Sequence, residues 1–250
     1  MLEIRNLTAG YGKKTVLYGL TAAFAAGELT CILGPNGCGK STLLKAAAGL
    51  IPHAEGEICL DGTPTSRWKR KELARRVAYL AQGQETPAMT VGQMVLHGRF
   101  PYAEYPRGYS ARDRELAAAA LEREGISHLA DAPLHTLSGG MRQSAYIAMA
   151  LVRDAQYVLL DEPTTYLDVA HQMELMRRLR GISAEGRGVV AVMHDLPLAL
   201  TFADRVVVMT EGRVAAADTP REIAESGITE AVFGVSVGCA DGAYFCRLKP

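Results

Sequence analysis

The chain has 250 residues, 48% hydrophobic and 22% charged, the profile of a soluble globular protein long enough for a buried core. Lys plus Arg and Asp plus Glu both number 27, so no overall field attracts nucleic acid or an acidic membrane surface. No apolar run reaches the roughly 18 residues that cross a bilayer, and the opening MLEIRNLTAGYGKK has no signal-peptide core, so a cytosolic location is expected.

In chain order, LEIRNLTAGY and LTAAFAAGELTCILG predict strands with a turn at Gly27-Glu28. KSTLLKAAAGL predicts a helix ended near Gly49, GEICLDG a short strand, KRKELARR a basic helix and VAYLAQ another strand. Between about Glu85 and Ala132 the strand pattern stops, while TVGQMVLHG and SARDRELAAAALEREG read as helices around the Pro- and Tyr-rich RFPYAEYPRGY. Strand and helix then alternate through AQYVLLDEP, VAHQMELMRRLR, GRGVVAVMH, LPLALTFA and RVVVM. Such alternation with near-continuous apolar strands predicts an α/β fold with a mainly parallel sheet.

Five cysteines, Cys31, Cys38, Cys59, Cys239 and Cys246, form no CxxC pair and have no His at zinc spacing, so they read as reduced and mostly buried. If CADGAYFC is a hairpin turning at Asp241-Gly242, Cys239 faces Tyr244 and is only diagonal to Cys246, which argues against a disulfide.

Gly34 to Ser41, GPNGCGKS, has the spacing Gly, four residues, Gly-Lys-Ser between a predicted strand and a predicted helix, the context of a P-loop. The backbone N–H groups of such a loop wrap a polyphosphate, and the helix that follows adds its positive end. Here the loop is Gly34, Pro35, Asn36, Gly37, Cys38, Gly39, Lys40, Ser41 and Thr42. Lys40 would neutralise phosphate and Ser41 would offer its hydroxyl to Mg²⁺; the plainer alternative is a glycine-rich turn with a solvated lysine. Cys38 occupies a variable slot and has no assigned role.

YVLLDEP is an apolar strand ending in two carboxylates before Pro163. Adjacent strand residues point to opposite sides, so Asp161 and Glu162 are expected to do different jobs, Asp161 holding hydrated Mg²⁺ and Glu162 polarising water. A solvated strand end is the alternative. In LSGGMRQ, Ser138 is a good N-cap, and Gly139 and Gly140 leave the next helix's first N–H groups uncovered, a second anion site. One nucleotide has no use for both sites within one subunit, so the second could serve a nucleotide held by another copy.

P-loop, LSGG, LLDEP, TTYLD and MHD, in that order, resemble an ATP-binding-cassette (ABC) nucleotide-binding subunit along nearly the whole chain. The resemblance implies one cassette over 1–250, with core and N-terminal antiparallel β subdomain at about 1–84 and 154–250 and a helical subdomain at about 85–153. It also implies a head-to-tail homodimer in which each ATP lies between one copy's P-loop and the other's signature, Ser138, Gly139 and Gly140. By the same resemblance Tyr11 stacks on adenine with Val16 beside it, Gln82 is the Q-loop glutamine near Mg²⁺ and water, Asp168 is the D-loop aspartate, and His194 is the switch histidine. Gln84 reads as solvated and Asp195 as a helix N-cap. Met141 and Ser144 depart from the family, which most often has Gln and Arg there.

A single P-loop with no accompanying membrane span resembles a separate importer cassette, and GRFPY with TTYLDVAHQMEL resembles those for iron-siderophore, haem and cobalamin uptake. That implies two membrane permease subunits, an extracytoplasmic substrate-binding protein, and a place on the cytoplasmic face of the membrane. A soluble non-transport ABC ATPase is the competing reading; a P-loop kinase or GTPase leaves the signature and MHD without a use. SRWKRKELARR reads as a solvated helix face, with a membrane- or partner-facing patch as the alternative.

Overall fold

A computed structural model describes residues 1–83, 86–103 and 108–248; Gln84, and the predicted boundary near Glu85, lie outside the described residues. β1 (Leu2–Tyr11) and β2 (Lys14–Phe24) form an antiparallel hairpin, followed after Gly27 by the fully buried β3 (Leu29–Leu33). α1 (Lys40–Ala47) follows the glycine-rich loop, and Gly49, at φ +68°, turns the chain out of it. β4 (His53–Leu60) starts three residues before the predicted strand, because its first half pairs with the far end of β1. β5 (Thr63–Pro64), α2 (Arg70–Arg76) and β6 (Val77–Leu80) complete the first third.

α3 (Val91–His97), α4 (Ala111–Arg123) and α5 (Gly139–Leu151) pack on one another. The GRFPY stretch is a structural knot between them. A methyl on Gly98 would sit 2.2 Å from the Met149 carbonyl oxygen, so only glycine fits there. Arg99 pairs with Asp113 at 2.8 Å, donates to the Val152 carbonyl at 3.1 Å, and lies 3.6 Å from the Tyr102 ring centre.

The remaining elements are β7 (Tyr157–Asp161), α6 (Val169–Ala184), β8 (Gly188–Val192), α7 (Leu196–Phe202), β9 (Arg205–Thr210), β10 (Arg213–Asp218), α8 (Pro220–Glu225), α9 (Ile228–Phe233), β11 (Val235–Ala240) and β12 (Ala243–Leu248). The main sheet has the order β10-β9-β3-β8-β7-β6, with only β10 antiparallel to its neighbour; β2-β1-β4-β5 is a separate antiparallel sheet. Every residue of β3, β7 and β8 is buried because both faces of the main sheet are covered. Ile32, Leu159 and Val190 face the core shared with β1, β2 and α1, while Cys31, Leu33, Val158 and Leu160 face the core shared with α5 and α6.

β11 and β12 form the expected hairpin, with Cys239 opposite Tyr244 and left-handed Asp241-Gly242 at the turn. Cys31, Cys38 and Cys59 are buried, so the free thiols are mostly buried as expected, while Cys239 and Cys246 on the hairpin are exposed. The hairpin is a surface ribbon whose Val235, Val237 and Tyr244 help cover the main core. The basic helix face is largely exposed, although Arg75 donates to the Pro101 carbonyl at 3.0 Å and Arg76 lies 4.3 Å from the Trp68 ring centre. Among the described residues no helix is long and apolar enough to cross a membrane.

Candidate active site

The site lies at the C-terminal ends of β3, β6, β7 and β8, where open parallel sheets present their loops. After β3 the chain needs two glycines for space. A methyl on Gly34 would meet the Met209 carbonyl oxygen at 2.3 Å, and Gly39 sits at φ +106° with Leu17 Cδ2 2.7 Å from where a methyl would be. Gly39 is the N-cap of α1 and supplies no side-chain cap, so the first N–H groups of this helix are left for a ligand. By contrast α3, α4, α5, α6, α7 and α8 each begin at a Ser, Thr or Asp whose side chain accepts a helix N–H.

Pro35, Asn36 and Gly37 form the exposed crest of the loop, while Cys38, Lys40 and Thr42 are buried and Ser41 is half-buried. Lys40 Nζ donates to the carbonyls of Gly34 at 2.7 Å and Pro35 at 3.0 Å, which holds the ammonium inside the loop. Val16 abuts the loop at Gly39, and Tyr11 ends β1 with its ring 47% exposed, open to stacking.

Asp161 and Glu162 do diverge, but the alternation of a strand is not the reason. β7 ends at Asp161, and Glu162 leaves it in the left-handed conformation at φ +52°. Ser41 Oγ donates to Asp161 Oδ1 at 2.8 Å and the Tyr79 hydroxyl donates to Oδ2 at 3.1 Å. Burial pushes the Asp161 carboxyl above the usual aspartate range, with both hydrogen bonds opposing it. Glu162 accepts from Gln82 Nε2, and from Thr165 Oγ1 at 3.3 Å, and lies 2.6 Å from His194 Nε2. Gln82 was expected to end a strand; β6 stops at Leu80, and Gln82 stands in the turn beyond, which lets its amide reach across to β7.

Ser41, Asp161 and Gln82 offer hydroxyl, carboxylate and amide oxygens, the hard donors that suit Mg²⁺. Among the described residues no group of three His, Cys, Asp or Glu side chains could hold a metal ion. A cation here would therefore take the rest of its shell from phosphate and water, the usual condition of nucleotide-bound Mg²⁺.

Ser138 caps α5 by accepting the Met141 N–H at 3.4 Å. Among the described residues no hydrogen bond joins Ser138, Gly139 or Gly140 to the P-loop of the same chain. Their neighbours are instead in the loop before α6: a methyl on Gly139 would lie 3.3 Å from the Tyr166 carbonyl oxygen, and one on Gly140 3.1 Å from His171 Cδ2. Asp168 caps α6 beside them, as Asp195 caps α7. A cavity of about 150 Å³ separates the signature from the carboxylates, lined by Gln82, Asp161 and Glu162 on one side and Gly139, Arg142 and Tyr146 on the other.

Three contributors were not read from the sequence. Tyr79 had a faint signal, a phenol in an apolar strand; Thr165 and Arg178 had none. Arg178 Nη1 on α6 donates to Ser144 Oγ and to Glu124 Oε2, both at 2.9 Å. The small Ser144 thus accommodates a cation that arrives from the next helix. Met141 is 44% exposed at the start of α5.

A family model described as ABC transporter matches residues 17–165. The ferric enterobactin transport ATP-binding protein FepC of Escherichia coli strain K12 is 42% identical over 94% of this chain and 87% of its own length. The petrobactin import ATP-binding protein FpuD of Bacillus anthracis is 40% identical over 93% of this chain and 86% of its own. Among solved structures, an inward-facing putative metal-chelate type ABC transporter matches with a TM-score of 0.83 and 26% identity, covering 98% of this chain and 95% of that one. The chain belongs to the ABC transporter family, as an ATP-binding cassette that hydrolyses ATP.

Proposed function

We propose that this cassette powers a bacterial importer of ferric siderophores or related metal chelates. It works as a head-to-tail homodimer on the cytoplasmic face of the membrane, bound to two permease subunits that receive cargo from an extracytoplasmic binding protein. The observation that carries the two-copy reading is the place of the signature glycines, beside Tyr166 and His171 and without a bond to their own P-loop. Around them Tyr166 is 86% exposed, Val169 72% and Met141 44%, apolar groups that a second copy would cover. The chelate cargo rests on relatives named for ferric enterobactin and petrobactin that span nearly the whole chain.

In this reading residues 1–250 are one cassette, with a helical subdomain at about 85–153. Lys40 and the N–H groups from Asn36 to Thr42 hold the β and γ phosphates, and Tyr11 with Val16 holds the adenine. Ser41, Asp161 and Gln82 would hold Mg²⁺, which when bound would supply charge neutralisation at those phosphates. Glu162 takes the proton of the attacking water, Gln82 orients that water, and His194 turns from Glu162 to the γ phosphate. The partner's copies of Ser138, Gly139, Gly140 and Asp168 close the site. Closure of the cassettes drives the permease, and hydrolysis resets it.

The test is ATP turnover by the reconstituted complex in liposomes, with binding protein loaded in turn with ferric catecholate, ferric hydroxamate, haem or cobalamin. Stimulation by an iron chelate is expected. Failure of the chain to associate with any membrane subunit, or stimulation by an unrelated solute alone, overturns the importer reading.

A further inference from the structure

The imidazole of His171 is where the signature meets the loop that carries Asp168. Asp168 Oδ1 accepts the backbone N–H of His171 at 2.9 Å, and Oδ2 lies 2.8 Å from His171 Nδ1. An ionised carboxylate only accepts, so Nδ1 carries the proton in this contact. The Asp168 carboxyl is held below the usual aspartate range, first by the backbone N–H and then by the ring of His171. With both oxygens engaged by one residue, the ring direction is fixed. Its other edge covers Gly140, whose added methyl would lie 3.1 Å from Cδ2 and 3.5 Å from Nε2.

The small size of the glycines is therefore used twice. It keeps side chains off the Gly139 and Gly140 N–H groups at the start of α5, where Ser138 caps the Met141 N–H, and it lets the loop before α6 come close. Further along the same two helices, Arg178 on α6 reaches Ser144 on α5 at 2.9 Å, a second tie between them. The joint at His171 is not a core contact, since the side chains of His171 and Asp168 are 54% and 66% exposed.

We propose that His171 is a positioning residue of the composite nucleotide site: held by Asp168, its ring sets the spacing between Gly140 and the Asp168 loop, so that both reach the partner's nucleotide as one rigid surface. The inference rests on the two-copy reading above. Without the ring, Asp168 Oδ2 loses its partner and the two elements shift independently by the ångström or so that matters to reacting groups.

The experiment uses the full chain as wild type, His171→Ala and His171→Asn, each also combined with Glu162→Gln. The backbone N–H of residue 171 still caps α6 in every form, and an Asn amide can still donate to Asp168 Oδ2. For His171→Ala the expected results are unchanged Mg-ATP binding by the isolated chain, an unchanged Tm, and kcat lowered about tenfold. In the Glu162→Gln background it should need about tenfold more Mg-ATP to dimerise in sedimentation, and Asn should restore most of both losses. Wild-type turnover and dimerisation in the Ala form overturn the proposal, as do equal losses in Ala and Asn accompanied by a lowered Tm. Failure of Glu162→Gln alone to dimerise at any Mg-ATP concentration removes the two-copy reading itself, and the inference with it.

Discussion

Ser41 and Asp161 share a hydrogen bond of 2.8 Å that joins the start of α1 to the end of β7. Tyr79, from the adjacent β6, holds the other carboxylate oxygen. Tyr79→Phe removes only that outer support. It should raise the Mg²⁺ concentration for half-maximal hydrolysis about tenfold, the usual scale for loss of an outer partner of a metal ligand. A Mg²⁺ titration at saturating ATP checks this, and an unmoved midpoint contradicts it.

Glu162→Gln keeps the shape of the side chain and its capacity to accept from Gln82, but it removes the proton acceptor. Hydrolysis should fall roughly 10²- to 10⁴-fold while Mg-ATP still binds. Single-turnover kinetics and equilibrium nucleotide binding separate the two effects; near-normal turnover would take Glu162 out of the role.

Lys40→Ala should weaken ATP binding roughly 10- to 100-fold, the equivalent of ~1.5–3 kcal/mol for a hydrogen bond to a charged group. The lost bonds to Gly34 and Pro35 also loosen the loop itself. Calorimetric titration with ATP reads the change, and an unchanged affinity would refute the assignment.

Arg99 and Asp113 form a pair whose side chains are 9% and 8% exposed. Burial pushes the Asp113 carboxyl up, but the Ser110 hydroxyl, the Arg99 guanidinium and the Ser110 N–H together outweigh it and hold the carboxyl below its usual value. A carboxyl depressed in the folded chain stabilises it above the unfolded value of about 3.9, and that contribution is lost as pH falls through the folded value. Asp113→Asn should cost about 3 kcal/mol at neutral pH, because Arg99 is left buried without its counter-charge. It should also flatten the acid limb of the stability profile. Arg99→Met combined with Asp113→Asn should cost less than the two single changes together. Urea unfolding from pH 7 down to about pH 2, through the window below the unfolded value, reads all three results.

The P-loop was legible because its residues are contiguous: such a loop needs its glycines, lysine and hydroxyl within one turn of chain. The parallel sheet was legible for a similar reason, since β3, β7 and β8 are apolar throughout. Contacts made by sheet order were not. Tyr79 reaches Asp161 only because β6 lies beside β7, across 82 positions, and nothing local encodes that neighbour. Arg178 meets Ser144 across 34 positions for the same kind of reason. The left-handed turn at Glu162 was hidden as well, because an acidic residue there reads as the end of a strand.

The P-loop is gripped by β2 on one side and by the turn between β9 and β10 of the main sheet on the other. Leu17 and Val16 of β2 crowd Gly39, Cys38 accepts the Gly212 N–H through its carbonyl at 3.0 Å, and Gly212 in turn accepts from Tyr18 at 3.1 Å. The small hairpin at the chain's beginning is thus a splint for the glycine-rich loop that it touches through Val16 and Leu17. Lengthening its tip beyond Tyr11 would be felt first as slack around Lys40, through a mechanical route that bypasses every residue touching phosphate.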